Sequence, residues 1–187
     1  KLSKEKGLTF ISSYNDPVVV AGQGTVGLEI LEELPTTDSI IVPVSGGSIL
    51  SGVAVAAKSI KPSIEILGAQ PENVAAMYHS LKAGKIIRIP MKPTLAEGLD
   101  GNIEEGCMTF ELIQKYVNEI LLYDEDTVRR MIRILWDQEG QVVEASGAIA
   151  IAPIVHTPSR FAGKRTVAVI TGGNIDEAVF KSVLEGK

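Results

Sequence analysis

Along the 187 residues, short apolar runs alternate with longer stretches in which apolar residues recur every three or four positions. A short run rich in branched aliphatic residues predicts a buried strand, and the longer period predicts an amphipathic helix. The strands predicted in this way are residues 18–21, 39–44, 65–69, 119–123 and 165–170. Strands that alternate with helices favour an α/β fold, with an open, mostly parallel, twisted sheet and helices on both faces. We expect residues 1–187 to form one such domain.

The predicted helices lie between and after these strands, at residues 25–34, 47–60, 73–83, 108–117, 125–138, 145–154 and 176–184. The clearest periodicity is in the helix 125–138, where four apolar residues share one face, namely Val128, Met131, Ile132 and Leu135. Residues 1–7 predict the end of a polar helix with Gly7 as its C-cap, followed by a short strand. Prolines and glycines between residues 85 and 106 predict an irregular segment there.

The composition is that of a globular protein, with 45% hydrophobic and 22% charged residues. The formal net charge of −5 argues against nucleic acid and anionic membranes as partners. A single cysteine, Cys107, excludes an internal disulfide framework, and we expect it to be a small core residue. No apolar run reaches the roughly 18 residues of a membrane span, and the first ten residues lack a signal-peptide core. These features predict a cytoplasmic protein.

The first glycine-rich motif is GQGTVG, residues 22–27, which matches the G-x-G-x-x-G fingerprint of dinucleotide-binding folds. That fingerprint also requires an acidic residue at the end of the next strand, and here that strand ends VPVSGG without one. The alternative is a structural role, with Thr25 as a helix N-cap and the glycines allowing close packing. The missing acid favours the structural interpretation.

The second motif is SGGSIL, residues 45–50, at the turn from a predicted strand into a predicted helix. Successive glycines let several backbone N–H groups point at one anion, and the helix dipole adds to the attraction. The hydroxyl groups of Ser45 and Ser48 are possible further donors. Phosphate binding and a plain turn are both compatible with this pattern taken alone.

Three further segments carry polar residues at places where chemistry is possible. VITGGN puts Thr171 at the end of a predicted strand, where it could face the same crevice as Ser45. Glu144 precedes a helix of small residues and is either a capping acid or a site residue. The loop TLAEGLDG contains Glu97 and Asp100, which a solvated loop would also explain.

Taken together and in order, these motifs resemble those of threonine dehydratases and serine racemases, which are pyridoxal-phosphate enzymes of the tryptophan-synthase-β fold type. The segments that carry the resemblance are DPVVVAGQGTVGLEILEEL, IIVPVSGGSILSGVA, LGAQPENVAAM, TLAEGLDG, EASGAIAIA and VITGGN, between about residues 7 and 180. The resemblance implies that the cofactor phosphate is held by the backbone of five residues, namely Ser45, Gly46, Gly47, Ser48 and Ile49. It implies that Thr171 hydrogen-bonds the pyridine nitrogen, that Gly98 lies beside the cofactor ring, and that Glu144 lies near the site.

The chain also departs from this family's pattern. The S-x-K-x-R-G-A motif that carries the family's Schiff-base lysine is absent from the 187 residues, so no catalytic residue is assigned. We therefore expect the C-terminal, large-domain part of a longer enzyme, without the lysine segment and the small domain. Gln70 and Ala76 stand where metal-binding relatives have acids, and His79 and His156 lack ligand spacing, so no metal site is expected.

The function implied by the resemblance is β-elimination from threonine or serine, which gives a 2-oxo acid and ammonia in amino-acid metabolism such as isoleucine biosynthesis. Two alternatives stay open: a racemase of the same family, and a non-catalytic phosphate- or dinucleotide-binding domain. We expect the isolated chain to be inactive because it lacks the lysine. We also expect a homo-oligomer, since apolar surface left bare by a missing segment favours self-association.

Overall fold

The computed structural model describes residues 2–186, and its centre is one parallel sheet of four strands. The strands are β1 (Ser39–Pro43), β2 (Glu65–Pro71), β3 (Glu119–Tyr123) and β4 (Thr166–Ala168). Their order across the sheet is β3-β2-β1-β4, and every neighbouring pair is parallel. The predicted α/β class with an open, parallel sheet is confirmed.

Ten helices surround the sheet in the described residues: α1 (Leu2–Lys6), α2 (Pro17–Glu33), α3 (Ser48–Ile60), α4 (Ala76–Ala83), α5 (Met108–Tyr116), α6 (Glu125–Glu139), α7 (Ala145–Ala148), α8 (Ala152–His156), α9 (Pro158–Phe161) and α10 (Glu177–Leu184). Short 3-10 turns lie at Glu72–Val74, Glu97–Leu99 and Ile149–Ile151. The side chains of Asp16, Asp124 and Asp176 accept first-turn N–H groups and so fix where α2, α6 and α10 begin. No helix among residues 2–186 is long and apolar enough to cross a membrane.

Successive residues of a strand point to opposite faces of the sheet, and two hydrophobic clusters follow from this alternation. Ile40 and Val42 of β1 pack in the cluster beneath α3 and α5, whereas Ile41 packs in the cluster beneath α6, α7 and α8. The predicted apolar face of α6 lies in the second cluster, with its members at most 8% exposed: Val128, Met131, Ile132 and Leu135. Cys107 is buried, as expected.

The strand predicted at residues 18–21 is wrong, because these residues belong to α2. The side chain of Asp16 caps this helix by accepting the N–H groups of Val18 and Val19, and Pro17 supplies a helical φ in the first turn. Thr25 is therefore not an N-cap but lies inside the helix, where its hydroxyl donates to the carbonyl of Gly22. An apolar run alone did not distinguish a strand from a helix segment.

The dinucleotide interpretation of GQGTVG is wrong as well, because its glycines lie within α2 and pack against α3. A Cβ atom on Gly27 would lie 3.0 Å from the carbonyl oxygen of Val53, and one on Gly24 would lie 3.2 Å from that of Gly52. The glycines thus allow two helix backbones to touch. No strand-to-helix turn exists at this motif to hold a pyrophosphate.

Smaller differences concern the ends of elements. Gly7 has φ +64° after α1, which confirms the predicted C-cap, but no strand forms at residues 8–11. The helix predicted at residues 145–154 is broken by a 3-10 turn before Pro153, which has no N–H group to continue the helical ladder. The helix predicted from residue 73 begins as a 3-10 turn, and β4 is shorter than predicted. Apart from the turn Glu97–Leu99, residues 85–106 are irregular, as expected.

Candidate cofactor site

The turn between β1 and α3 is shaped by two glycines for different reasons. Gly47 has φ +88°, in the left-handed region that favours glycine. A Cβ atom on Gly46 would lie only 2.5–2.8 Å from ring atoms of Tyr14. A side chain at either position would displace a neighbour, since a Cβ atom on Gly47 would also lie 2.5 Å from Cδ1 of Ile113.

The start of α3 leaves several backbone donors unused. Its N-cap, Gly47, has no side chain to accept them, and no acceptor among residues 2–186 takes the N–H groups of Ser48, Ile49 or Leu50. The first intrahelical bond runs from the Ser51 N–H to the Gly47 carbonyl. Free N–H groups at a helix N-terminus, together with the helix dipole, attract an anion.

Two hydroxyl groups donate hydrogen bonds to the carbonyls of the glycines in this turn. Thr109 Oγ1 donates to the Gly46 carbonyl at 2.5 Å, and Ser51 Oγ donates to the Gly47 carbonyl at 2.7 Å. The carbonyls of both glycines therefore already accept hydrogen bonds, whereas the N–H groups of Ser48, Ile49 and Leu50 remain unused. Ser48 contributes one more hydroxyl, which lies 3.4 Å from the carbonyl of Ser13.

A cavity of about 320 Å³ lies directly in front of these donors. It is lined by the whole turn from Ser45 to Ile49, by Ser13 and Tyr14, and by residues 98–102. The structure therefore brings Gly98 and the predicted phosphate-binding residues around one space. This volume is at the lower end of the range for small-molecule sites.

Glu144 and Gly98 meet at a second, smaller cavity of about 220 Å³. The Glu144 side chain makes no capping hydrogen bond at the start of α7, so the capping role is not observed. A Cβ atom added to Gly172 would lie only 2.1 Å from Glu144 Oε1. A Cβ atom added to Gly98 would lie 3.7 Å from Glu144 Oε2. The carboxylate thus fits between two glycines of different loops.

Thr171 follows β4 and lies next to the end of β1, because the Val169 N–H donates to the Ile41 carbonyl. Its backbone packs against α7: a Cβ atom on Gly147 would lie 3.1 Å from the Thr171 nitrogen. Thr171 is exposed and lines neither cavity. Besides this contact with α7, it is linked to the site through its neighbour Gly172, which lies against Glu144.

Three residues of this region were missed by the sequence analysis. Ser146 is only 5% exposed, and its hydroxyl has no hydrogen-bond partner. It lies against Gly98, where a Cβ atom would be 2.9 Å from Ser146 Oγ. Tyr14 forms one wall, and its hydroxyl accepts the Glu104 N–H while burial raises the pKa of its phenol. The third residue is Thr109, which bonds to the Gly46 carbonyl. Of the three, only Ser146 stood out in the sequence, as the single serine in the small-residue segment ASGA.

Other polar residues lie away from the cavity and have structural partners. Lys164 is 3.3 Å from Glu65, the first residue of β2, at the opposite end of the sheet from the turn. Gln70 is buried, and its amide donates to the Val74 carbonyl and accepts the Tyr78 N–H. Within residues 2–186, no three His, Cys, Asp or Glu side chains converge as metal ligands would.

Comparison with known proteins gives consistent matches. The model of the family described as "Pyridoxal-phosphate dependent enzyme" matches residues 1–172. The L-threonine ammonia-lyase of Thermotoga maritima is 42% identical over 94% of this chain and 43% of its own length. The catabolic L-threonine dehydratase TdcB of Escherichia coli K12 is 41% identical over 91% of this chain and 52% of its own.

A solved structure agrees with these matches. Maize serine racemase superposes with a TM-score of 0.88 and 33% identity, over 99% of this chain and 57% of that one. The chain spans about half the length of the curated relatives it matches.

Proposed function

Because the chain belongs to the family of pyridoxal-phosphate dependent enzymes, we propose that it forms the phosphate-binding part of a threonine or serine ammonia-lyase. Such an enzyme releases a 2-oxo acid and ammonia by β-elimination. The observation that carries the proposal is the row of unused N–H groups at the start of α3, facing a cavity. The names of the relatives from Thermotoga maritima and Escherichia coli support the reaction class.

The residues at this turn fit a phosphate group. Three free N–H groups, a helix dipole and two hydroxyl groups provide donors. One acid, Asp100, also lines the cavity, but it belongs to the loop 98–102 and not to the turn from Ser45 to Ile49. When bound, pyridoxal phosphate would withdraw electrons from the Cα of the amino acid. The role of the turn is to hold the phosphate, and glycine at positions 46 and 47 lets the turn keep its shape against Tyr14 and Ile113.

We assign Thr171 to the pyridine nitrogen, Gly98 to the wall beside the ring, and Glu144 to the near edge of the site. A neutral hydroxyl donates to the ring nitrogen without forcing a proton onto it. Such a ring withdraws electrons less strongly than a protonated one, and prompt elimination is then favoured over side transamination. Glu144 keeps the acceptor oxygens of its carboxylate free, because that side chain forms no hydrogen bond or ion pair with another residue of 2–186, although its backbone bonds to Gly172, Gly147 and Ala148.

The catalytic lysine is not assigned, since the S-x-K-x-R-G-A motif does not occur in the chain. We propose that the 187 residues form the large-domain part alone and do not turn over amino acids by themselves. Keto-acid formation from threonine or serine with added pyridoxal phosphate should therefore be absent. Turnover of about 1 per second or more would overturn this part of the proposal.

A serine racemase is the second candidate, and the superposition on the maize enzyme favours it. The two reactions differ in product, so a complete enzyme containing this part distinguishes them: keto acid indicates a lyase, and D-amino acid indicates a racemase. We further propose a cytoplasmic homo-oligomer that acts on threonine or serine. More narrowly, we propose a role in isoleucine biosynthesis. This role requires the complete enzyme to produce 2-oxobutanoate from threonine.

The direct test of the phosphate site is binding to the chain itself, measured by calorimetry with inorganic phosphate and with pyridoxal phosphate. Gly46→Val should abolish binding, because its side chain meets the Tyr14 ring. Ser45→Ala should weaken binding by about threefold to tenfold, since it removes one neutral hydrogen bond. Gly22→Ala is the matched control, as a Cβ atom there meets no atom within 4 Å. Equal binding by Gly46→Val and the unchanged chain would contradict the assignment.

A further inference from the structure

Strand β3 forms one edge of the sheet in the described residues, because it pairs only with β2. Its sequence, EILLY, contains neither proline nor lysine, which are two of the residues that protect exposed edges. Its one charged residue, Glu119, is held by Arg160 at 2.8 Å. An unprotected edge of this kind is a template for another strand.

The backbone groups that face the open edge can be identified from the register. The Glu65 N–H bonds to β1, so the N–H and C=O groups of Gly68, three residues later, face β3. Gly68 is paired with Ile120 and Gln70 with Leu122. In a parallel pair, the partner of a bonded residue points its own N–H and C=O away. Ile120 and Leu122 therefore present their backbone groups to the open edge.

These two residues lie symmetrically about Leu121. If a second β3 strand runs antiparallel with Leu121 opposite Leu121, then Ile120 faces Leu122 of the other copy, and the reverse holds as well. Each of these two pairs exchanges two hydrogen bonds, and the central Leu121 pair brings its Cα atoms to about 4.5 Å. A second copy of the same strand therefore satisfies the two-fold match with its own backbone groups, as an isologous interface requires.

The charges beside the edge are complementary under the same symmetry. A cavity of about 610 Å³ follows β3 and is lined by both Glu72 and Lys82, which form no ion pair with another residue of 2–186. Glu72 follows Pro71, which pairs with Tyr123 at the end of β3. Lys82 lies at the far end of α4, about 9 Å along a helix that runs back toward the start of the strand. An antiparallel copy exchanges the two ends and so places Lys82 of one copy near Glu72 of the other.

We propose that a second copy of this chain pairs with the β3 edge, antiparallel about Leu121, and joins two four-stranded sheets into one of eight strands. The pairing specifies the surface for the proposed homo-oligomer and does not depend on the proposed lyase reaction. The phosphate-binding test reports on the start of α3 instead, so the two proposals can fail separately.

The first experiment places a single thiol on the two-fold axis. Leu121→Cys should form a disulfide-linked dimer under mild oxidation, because a Cα separation near 4.5 Å permits the bond. Cys107 is buried and should not react. Glu33→Cys, on the exposed surface of α2, is the matched control and should stay monomeric on non-reducing gels. Equal cross-linking of the two variants, or none of Leu121→Cys, would overturn the proposal.

The second experiment tests the charges by sedimentation velocity at low salt. Lys82→Glu should raise the dissociation constant of the dimer about tenfold, because two attractive pairs become repulsive. The double variant Glu72→Lys with Lys82→Glu should restore the original value within about twofold. A monomer at every concentration, a dimer indifferent to both changes, or a foreign peptide that co-purifies on this edge would each contradict pairing by a second copy.

Discussion

The crossing of α2 and α3 depends on glycine, and adding one methyl group there should force the helices apart. A Cβ atom on Gly52 would lie 2.4 Å from the carbonyl oxygen of Val20 and 2.7 Å from the amide nitrogen of Gly24. Both neighbours are backbone atoms, which cannot rotate away as a side chain can. Gly52→Ala therefore requires α2 or α3 to move as a unit.

The expected cost follows from two opposing effects. Ordinary van der Waals contact begins near 3.4 Å, so the shift required is on the order of 1 Å. Overpacking in a well-packed interior costs about 1–3 kcal/mol. Alanine recovers about 1 kcal/mol of helix propensity relative to glycine. Because the obstacles are backbone, we take the upper end of the cost and expect a net loss of about 2 kcal/mol, or roughly 4–8 °C in Tm.

The assay is urea unfolding followed by circular dichroism, with Gly22→Ala in α2 as the control. Gly22 has no atom within 4 Å of the added Cβ, so its substitution should stabilise the chain by about 0.5–1 kcal/mol through helix propensity alone. The two variants thus have opposite signs for the same chemical change. If Gly52→Ala were as stable as Gly22→Ala, close packing of the glycines would not explain the GQGTVG motif.

Three further predictions concern the titration of Glu65, the titration of Tyr123 and the proposed contact of Thr171 with the cofactor ring. Burial raises the pKa of Glu65, but hydrogen bonds from Arg160 and Lys164 outweigh it and leave the pKa below its ordinary 4.5. The contribution of this carboxylate to the free energy of unfolding is fully present above pH 4.5, and it is lost as the pH falls through the lower pKa of the folded state. Arg160→Met should therefore reduce the difference in unfolding free energy between pH 7 and pH 3. Burial raises the pKa of Tyr123 to about 12, so stability from the neutral phenol is lost between pH 10 and 12, and Tyr123→Phe should lose less over that range. In a complete enzyme with the family's lysine, Thr171→Asp should lower the ratio of keto acid to aminated cofactor. Thr171→Ser should leave this ratio unchanged. If Thr171→Asp also left the ratio unchanged, the assignment of Thr171 to the ring nitrogen would be wrong.

Elements with a strong local period could be predicted from the sequence. The run 39–44 became β1, and residues 119–123 became β3 without any change of bounds. The four apolar residues of α6 were placed on the correct face, since a helix repeats every 3.6 residues whatever it packs against. These signals are local, so no knowledge of distant contacts was needed.

The GQGTVG region shows where local patterns were insufficient. VVVA has the composition of a strand, and only the cap at Asp16 marks it as the first turn of α2. The glycines that follow serve a contact with α3, about 25–30 residues away in the sequence. A pattern of glycines indicates that another group approaches the backbone closely, but it does not indicate which group. The same pattern is therefore compatible with a bound pyrophosphate and with a second helix.

The turn that we propose to bind phosphate could be singled out in the sequence because its donors belong to consecutive residues, Ser45 to Ile49. Its supports were not, because they come from distant segments. Thr109 bonds to Gly46 across 63 residues, and Tyr14 bonds to Glu104 across 90. Neither side chain lies in a motif that the sequence singles out, and each acquires its role only when the chain folds.

The position of Glu144 follows from the absence of side chains around it. Three glycines from three segments, Gly98, Gly147 and Gly172, allow α7 to touch both neighbouring loops. A methyl group on Gly172 would occupy the place of Glu144 Oε1, so this loop must be bare for the carboxylate to lie where it does. Steric fit, and not a hydrogen bond to another described residue, therefore sets the orientation of the carboxylate. Its acceptor oxygens remain available beside the cavity of about 220 Å³, which is the position that the proposed function uses.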